Sequence, residues 1–94
     1  IKNTYQNQKK YDLLGLIIED NNDQDGVVIL DIDNNSEAYK NNIRVNDVIN
    51  EINRVQIINS EEYYVEIAKY SKDDVIMLRL IRDGNNIYEA FEIK

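Results

Sequence analysis

The chain contains no cysteine, histidine, proline or tryptophan, and only three glycines. Without cysteine there is no disulfide framework and no thiolate nucleophile or ligand. Without histidine the chain loses the commonest general base, the usual metal ligand and every Ser–His or Cys–His pairing, so a self-contained hydrolase is not expected. Absent proline with abundant asparagine is read as A+T-rich coding bias. Basic residues are also short: 11 against 18 acidic ones, a net charge of −7. That balance argues against nucleic acid and anionic membrane surfaces as partners. No apolar run approaches the roughly 20 residues of a membrane span, and no signal-like segment opens the chain. Ninety-four residues make one domain able to bury a core unaided. Because it opens on Ile1 rather than Met, the sequence is expected to be a piece of a longer protein.

Residues 1–10 are polar, basic and without periodicity, and read as a linker or frayed end before a domain at 11–94. The chain organises itself around residues 13–20, LLGLIIED, where a glycine between large apolar residues leads into a strand. Leu16 and Ile18 would share one face of that strand, and Ile17 and Glu19 the other. Residues 20–26 are a polar turn, and 27–32 an apolar, β-branched run read as a buried strand. A short helix follows at 36–41, with Asn35 or Ser36 as N-cap and Asn42 in the left-handed position at its end. Residues 47–53 and 55–58 read as extended. Ser60 is the expected N-cap of the main helix, Glu61 and Glu62 suit its first turn, and Lys69 its last. Tyr64, Ile67 and Ala68 form its apolar stripe with Val65 beside them. Strands at 75–81 and 87–93 close the chain around a hairpin turn at 83–86. This order, with two helices and no regular βαβ alternation, indicates an α+β fold: a partly open β-barrel of five to six strands whose long helix covers one opening beside an edge strand.

Chemistry-bearing groups are few. A glycine such as Gly15 lets successive N–H groups converge into a nest for an anion such as a carboxylate. In the acidic turn, placing Gly26 at the sixth position of a calcium loop puts Asn21, Asp23 and Asp25 at the first, third and fifth. The twelfth position, which needs a bidentate glutamate, is then Ile32, so a solvated turn is expected and no metal site. Seven tyrosines, Tyr63 and Tyr64 adjacent, are read as half-buried packing. Glu61 and Glu62 form a helix-start charge run with Glu66 exposed, and the three make no acid–base pair. No cofactor is expected.

Three stretches together resemble a PDZ domain, most of all those that follow the protease domain in HtrA (Deg/Do) serine proteases. Tyr11-Asp12-Leu13-Leu14-Gly15-Leu16 is similar to the carboxylate-binding loop that opens such domains. Ser36, Ala38, Ile43, Asp47, Val48 and Ile49 match the family run "GVxVxxVxxxSPAxxAGLxxGDVI" at unchanged spacing. Residues 75–93 resemble its closing "VxLxVxRxG" hairpin, with Arg82 and Gly84. Where the family run has proline this chain has Glu37, a good helix starter. Where it has two glycines the chain has Asn42 and Asn46, and asparagine is the commonest non-glycine residue at positive φ.

The resemblance implies a non-catalytic domain that binds extended peptides or exposed protein C-termini by strand addition along Leu16, Ile17, Ile18 and Glu19. It implies that the N–H groups of Leu14, Gly15 and Leu16 hold a terminal carboxylate. Leu16 and Ile18 would line an apolar pocket, with Val65 and Ala68 opposite and Tyr64 competing with Val65 for that place. Glu61 falls where many eukaryotic members place a ligand-selecting histidine, and would accept a hydrogen bond or favour a basic ligand residue. Replacing Gly15 with a bulky residue is expected to abolish peptide binding and spare the fold. The parent would be an HtrA-type serine endopeptidase acting in protein quality control, in the periplasm or cell envelope, or in an organelle if eukaryotic. This domain would present substrates to the upstream protease domain or gate it, contacting that domain and other subunits, without membrane insertion. The alternative is an assembly module that binds no free peptide; a third reading is a PDZ domain of a C-terminal processing or site-2-type protease.

Overall fold

Alternation across the opening stretch is realised as a strand. In the computed structural model, which describes residues 10–94, β1 (Leu16–Asp20) buries Leu16 and Ile18 and turns Ile17 and Glu19 outward. Apart from Lys10, the expected N-terminal linker lies outside the described residues. The chain continues as β2 (Val27–Ile32), α1 (Glu37–Lys40), β3 (Val48–Ile52), β4 (Val55–Gln56), α2 (Ser60–Ile67), β5 (Val75–Arg82) and β6 (Asn85–Glu92). The strands form one six-stranded antiparallel sheet in the order β1-β2-β3-β5-β6, with β4 paired to β3 off that path. β1 and β6 do not pair, so the sheet curls without closing, and with its two helices this is the expected α+β architecture.

Alternate residues of every long strand meet inside. Val27, Ile29, Ile49, Ile52, Ile76, Leu78 and Leu80 are wholly buried, and Tyr63 from α2 is buried among them. Asn42 and Asn46 do adopt positive φ, 71° and 77°, which the shorter polar side chain tolerates. Asp47 is buried as well. Its carboxylate accepts from the Arg44 N–H at 2.9 Å and from Arg82 Nε at 2.7 Å, and Arg82 also reaches the Asn42 carbonyl at 2.7 Å. The end of β5 is thereby tied to the loop between α1 and β3.

Several local expectations are corrected. Ser36, not Asn35, caps α1, its Oγ accepting from the Tyr39 N–H. The N-cap of α2 is Asn59 rather than Ser60: its side chain accepts from the Glu62 N–H at 2.9 Å. Glu62 reaches back to the Ile58 N–H at 2.9 Å, so the helix start is closed by side chains on both sides. The helix ends at Ile67, before Lys69. Its core face is Tyr63, Ile67 and, one turn beyond, Tyr70, whereas Tyr64, Val65 and Ala68 are exposed. Glu66, expected in solvent, is buried because Lys69 Nζ and Tyr70 Oη each donate to it at 3.0 Å. The closing turn is two residues, not four. Asp83 and Gly84 both have positive φ, which matches the twist of the strands, so Asn85 and Asn86 already pair with Arg82 and Ile81.

Candidate functional site

Only one edge of β1 is occupied by a described strand. Backbone groups along an antiparallel strand point alternately to either side. The Asp33 N–H donates to the Gly15 carbonyl on the β2 side, so the N–H and carbonyl of Leu16 point the other way. At the far end the Asn21 N–H donates to the Gly26 carbonyl, and the same alternation turns Ile18 and Asp20 to the outer edge. A bulge between Ile17 and Ile18 separates these two registers.

Helix α2 lies beside β1 and is pinned at two points in its first half, to the end of the strand and to the loop before it. Near its start the Ser60 N–H donates to Asp20 Oδ1 at 2.6 Å, which also holds that exposed carboxyl below its usual range. One turn on, Tyr63 Oη donates to Asp12 Oδ2 at 2.7 Å. Burial is the first reason that the Tyr63 hydroxyl titrates far above its ordinary value, and the Asp12 charge is the second. Tyr64 stacks edge-on against Tyr63, with ring centres 5.2 Å apart, and its hydroxyl is raised by burial and by Asp12. Tyr64 therefore lies on the side of the loop, and Ala68, four residues on, shares its stripe. Val65 and Glu61 lie elsewhere: with Val55, Gln56 and Ile57 they line an open cleft on the β4 side. The rotation of the helix, in which the core takes Tyr63 and Ile67, thus puts Tyr64 and Val65 on different sides of α2.

The loop residues are brought together, and they are already bonded. The Leu14 and Leu16 N–H groups donate to Asp12 Oδ1 at 2.8 and 3.1 Å, and the Gly15 N–H donates to the Asp12 carbonyl at 2.9 Å. The Asp12 N–H in turn donates to the Leu16 carbonyl at 3.0 Å. Sequence reasoning missed Asp12. The available signal was an aspartate immediately before a positive-φ glycine loop, the pattern of a side chain that folds back on its own backbone. Burial raises the Asp12 carboxyl above its ordinary value, and its bonds from Tyr63, Leu16 and Leu14 work against that shift. Leu14, Leu16 and Ile18 are 3%, 1% and 7% exposed and belong to the same core cluster as Tyr63. Gly15 has φ +83°, and a Cβ there would sit 2.5 Å from Ser36 Cβ. Replacing it strains the fold itself, so it does not separate binding from folding.

Fold and site define a small α+β module that offers one strand edge beside a helix. A family model described as PDZ domain matches residues 12–93, and the chain belongs to that family. No curated protein matches it. Among solved structures it is similar to the HtrA-type protease AlgW with decapeptide, at 16% identity and a TM-score of 0.77 over 84% of this chain. It is similar to the serine endoprotease from Yersinia pestis, at 21% identity and 0.74 over 87%. It is also similar to the HtrA3 PDZ domain bound to a phage-derived ligand (FGRWV), at 15% and 0.70 over 84%. The chain spans 27% and 28% of the two proteases and 81% of the isolated domain.

Proposed function

We propose that this chain is the peptide-capturing PDZ domain of an HtrA-type serine endopeptidase of the cell envelope or periplasm (or of an organelle). It binds extended segments by strand addition along the outer edge of β1, and so delivers substrate to, or gates, a protease domain elsewhere in the parent. The observation that carries this reading is that the outward backbone groups of Ile18 and Asp20 have no described strand beside them and lie next to the helix that Ser60 pins to Asp20. The similarly folded HtrA3 PDZ domain bound to a phage-derived ligand, and the AlgW protease with decapeptide, support it. Nuclear magnetic resonance titration with extended apolar peptides is the test. Shifts confined to residues 16–20 and 60–68, with a Kd of roughly micromolar or about −8 kcal/mol, are the expected result. Shifts that map to β6 or to the β4 side exclude it.

A second reading has its own support. Leu14, Leu16 and Ile18 are sealed, which suits a module that holds protease subunits together and takes no free peptide. In that case peptide leaves the spectrum unchanged, and removing the domain from the parent changes its sedimentation.

A further inference from the structure

An incoming C-terminus would need three things from the loop: N–H donors for its carboxylate, a carbonyl for its last N–H, and freedom from like charge. Asp12 already uses the first two. Its Oδ1 takes the Leu14 and Leu16 N–H groups, and its own N–H takes the Leu16 carbonyl, the one backbone acceptor of Leu16 on the outer edge. Its second oxygen is held by Tyr63 Oη from the helix across the edge. Leu14, Leu16 and Tyr63 all meet this carboxylate as donors, the surroundings that an anion requires. A second carboxylate would have to displace Asp12 from those three bonds or sit beside it as a like charge.

What Asp12 leaves open is the rest of the edge, the outward backbone groups of Ile18 and Asp20, beside the start of α2. The charge there has one sign. Glu19, Asp20, Asp23 and Asp25 stand along the strand and its turn, Glu61 and Glu62 along the helix start, and no lysine or arginine occurs in β1, in residues 21–26 or in α2. Such a surface favours cationic side chains and disfavours a terminal carboxylate. We propose that Asp12 is a built-in substitute for a ligand's terminal carboxylate, and that the domain therefore selects internal extended segments bearing basic side chains over free C-termini. This rests on the strand-addition reading above and names its ligand class.

The test uses the full chain and one valine- and leucine-rich peptide carrying lysines. The peptide is made as a free acid, as a C-terminal amide, and embedded between glycine–serine flanks. Binding is read by fluorescence anisotropy. The amide and the embedded form are expected to bind about equally and several-fold tighter than the free acid. D12A is expected to reverse that order, raising affinity for the free acid about tenfold, the worth of about one charge-assisted hydrogen bond. It leaves the embedded form within about twofold, a small change on the free-energy scale. Should D12A fail to fold, the wild-type ranking decides alone. Binding to the wild type that is lost on amidation or embedding overturns the inference and leaves strand addition standing. Exchanging the lysines for glutamates is expected to abolish binding, and equal binding overturns the charge selection. No binding by any form overturns strand addition and this inference together.

Discussion

At the scale of single residues, two aspartates, one in the loop before β1 and one at its end, respond oppositely to their surroundings. Asp12 is raised first by burial, and Asp20 is lowered first by the Ser60 N–H. A raised folded-state pKa means that the folded chain holds the proton more tightly than the unfolded one. The Asp12 contribution is therefore fully present below the unfolded value of about 3.9 and is lost as pH rises through the folded one. The Asp20 contribution has the opposite sign: it is present above the unfolded value and lost as pH falls through the folded one. Asp12→Asn keeps an oxygen for the loop N–H groups and removes the titration. The stability of the wild type minus that of D12N, from urea melts across acid pH, should fall as pH rises. The same difference for D20N should rise. A flat D12N difference would mean that burial of this carboxylate does not govern its titration.

At the scale of elements, α2 is short, and its position depends on how it starts. Eight residues form few intrahelical bonds, so an isolated helix of this length is not stable. Asn59 fixes its start with a side-chain bond to the Glu62 N–H, and Glu62 returns one to Ile58. Asn59→Ala should lower unfolding free energy by about 1 kcal/mol, the usual cost of losing a cap. Because the helix forms one wall of the β1 edge, amide exchange in 60–67 should quicken in this variant while β5 and β6 stay protected. Much of this element was legible in the sequence. The SEE run announced its start to within one residue, and Asn59 won because it is the residue whose extended backbone lets its side chain reach back. The rotation of the helix was not legible. Tyr63 and Tyr64 have equal intrinsic claims to the core, and the choice follows from which of them packs beneath the loop and bonds Asp12.

At the scale of the molecule, the sheet is held in its curled shape by strands that turn back on one another and by one ion pair whose carboxylate is buried. Asp47 is 2% exposed and Arg82 is its partner, with the Arg82 guanidinium also closing the Asn42 carbonyl. Removing Arg82 leaves the Asp47 carboxylate buried without its cation. Arg82→Met should cost roughly 3 kcal/mol, a large share of the roughly 5–15 kcal/mol that holds a domain of this size together. It should appear as a lower urea midpoint at unchanged slope, because the same surface is exposed on unfolding. A loss below half a kilocalorie would mean that Asp47 finds other donors, such as the Arg44 N–H that already reaches it.

The sequence by itself determined the strands, both helices, the tight turns carried by Asn42, Asn46 and Gly84, and the family, because period, caps and positive-φ residues are local properties. It also marked residues 14–16 as a loop whose N–H groups converge. Only the tertiary structure decided what those N–H groups bond and which helix face looks at the strand. Both depend on Tyr63, a residue 51 positions from Asp12, coming within hydrogen-bond reach of it. A local reading shows that a nest for an anion is present. Whether the chain fills that nest itself is settled by the packing of the helix, which brings a buried hydroxyl to hold the aspartate in place.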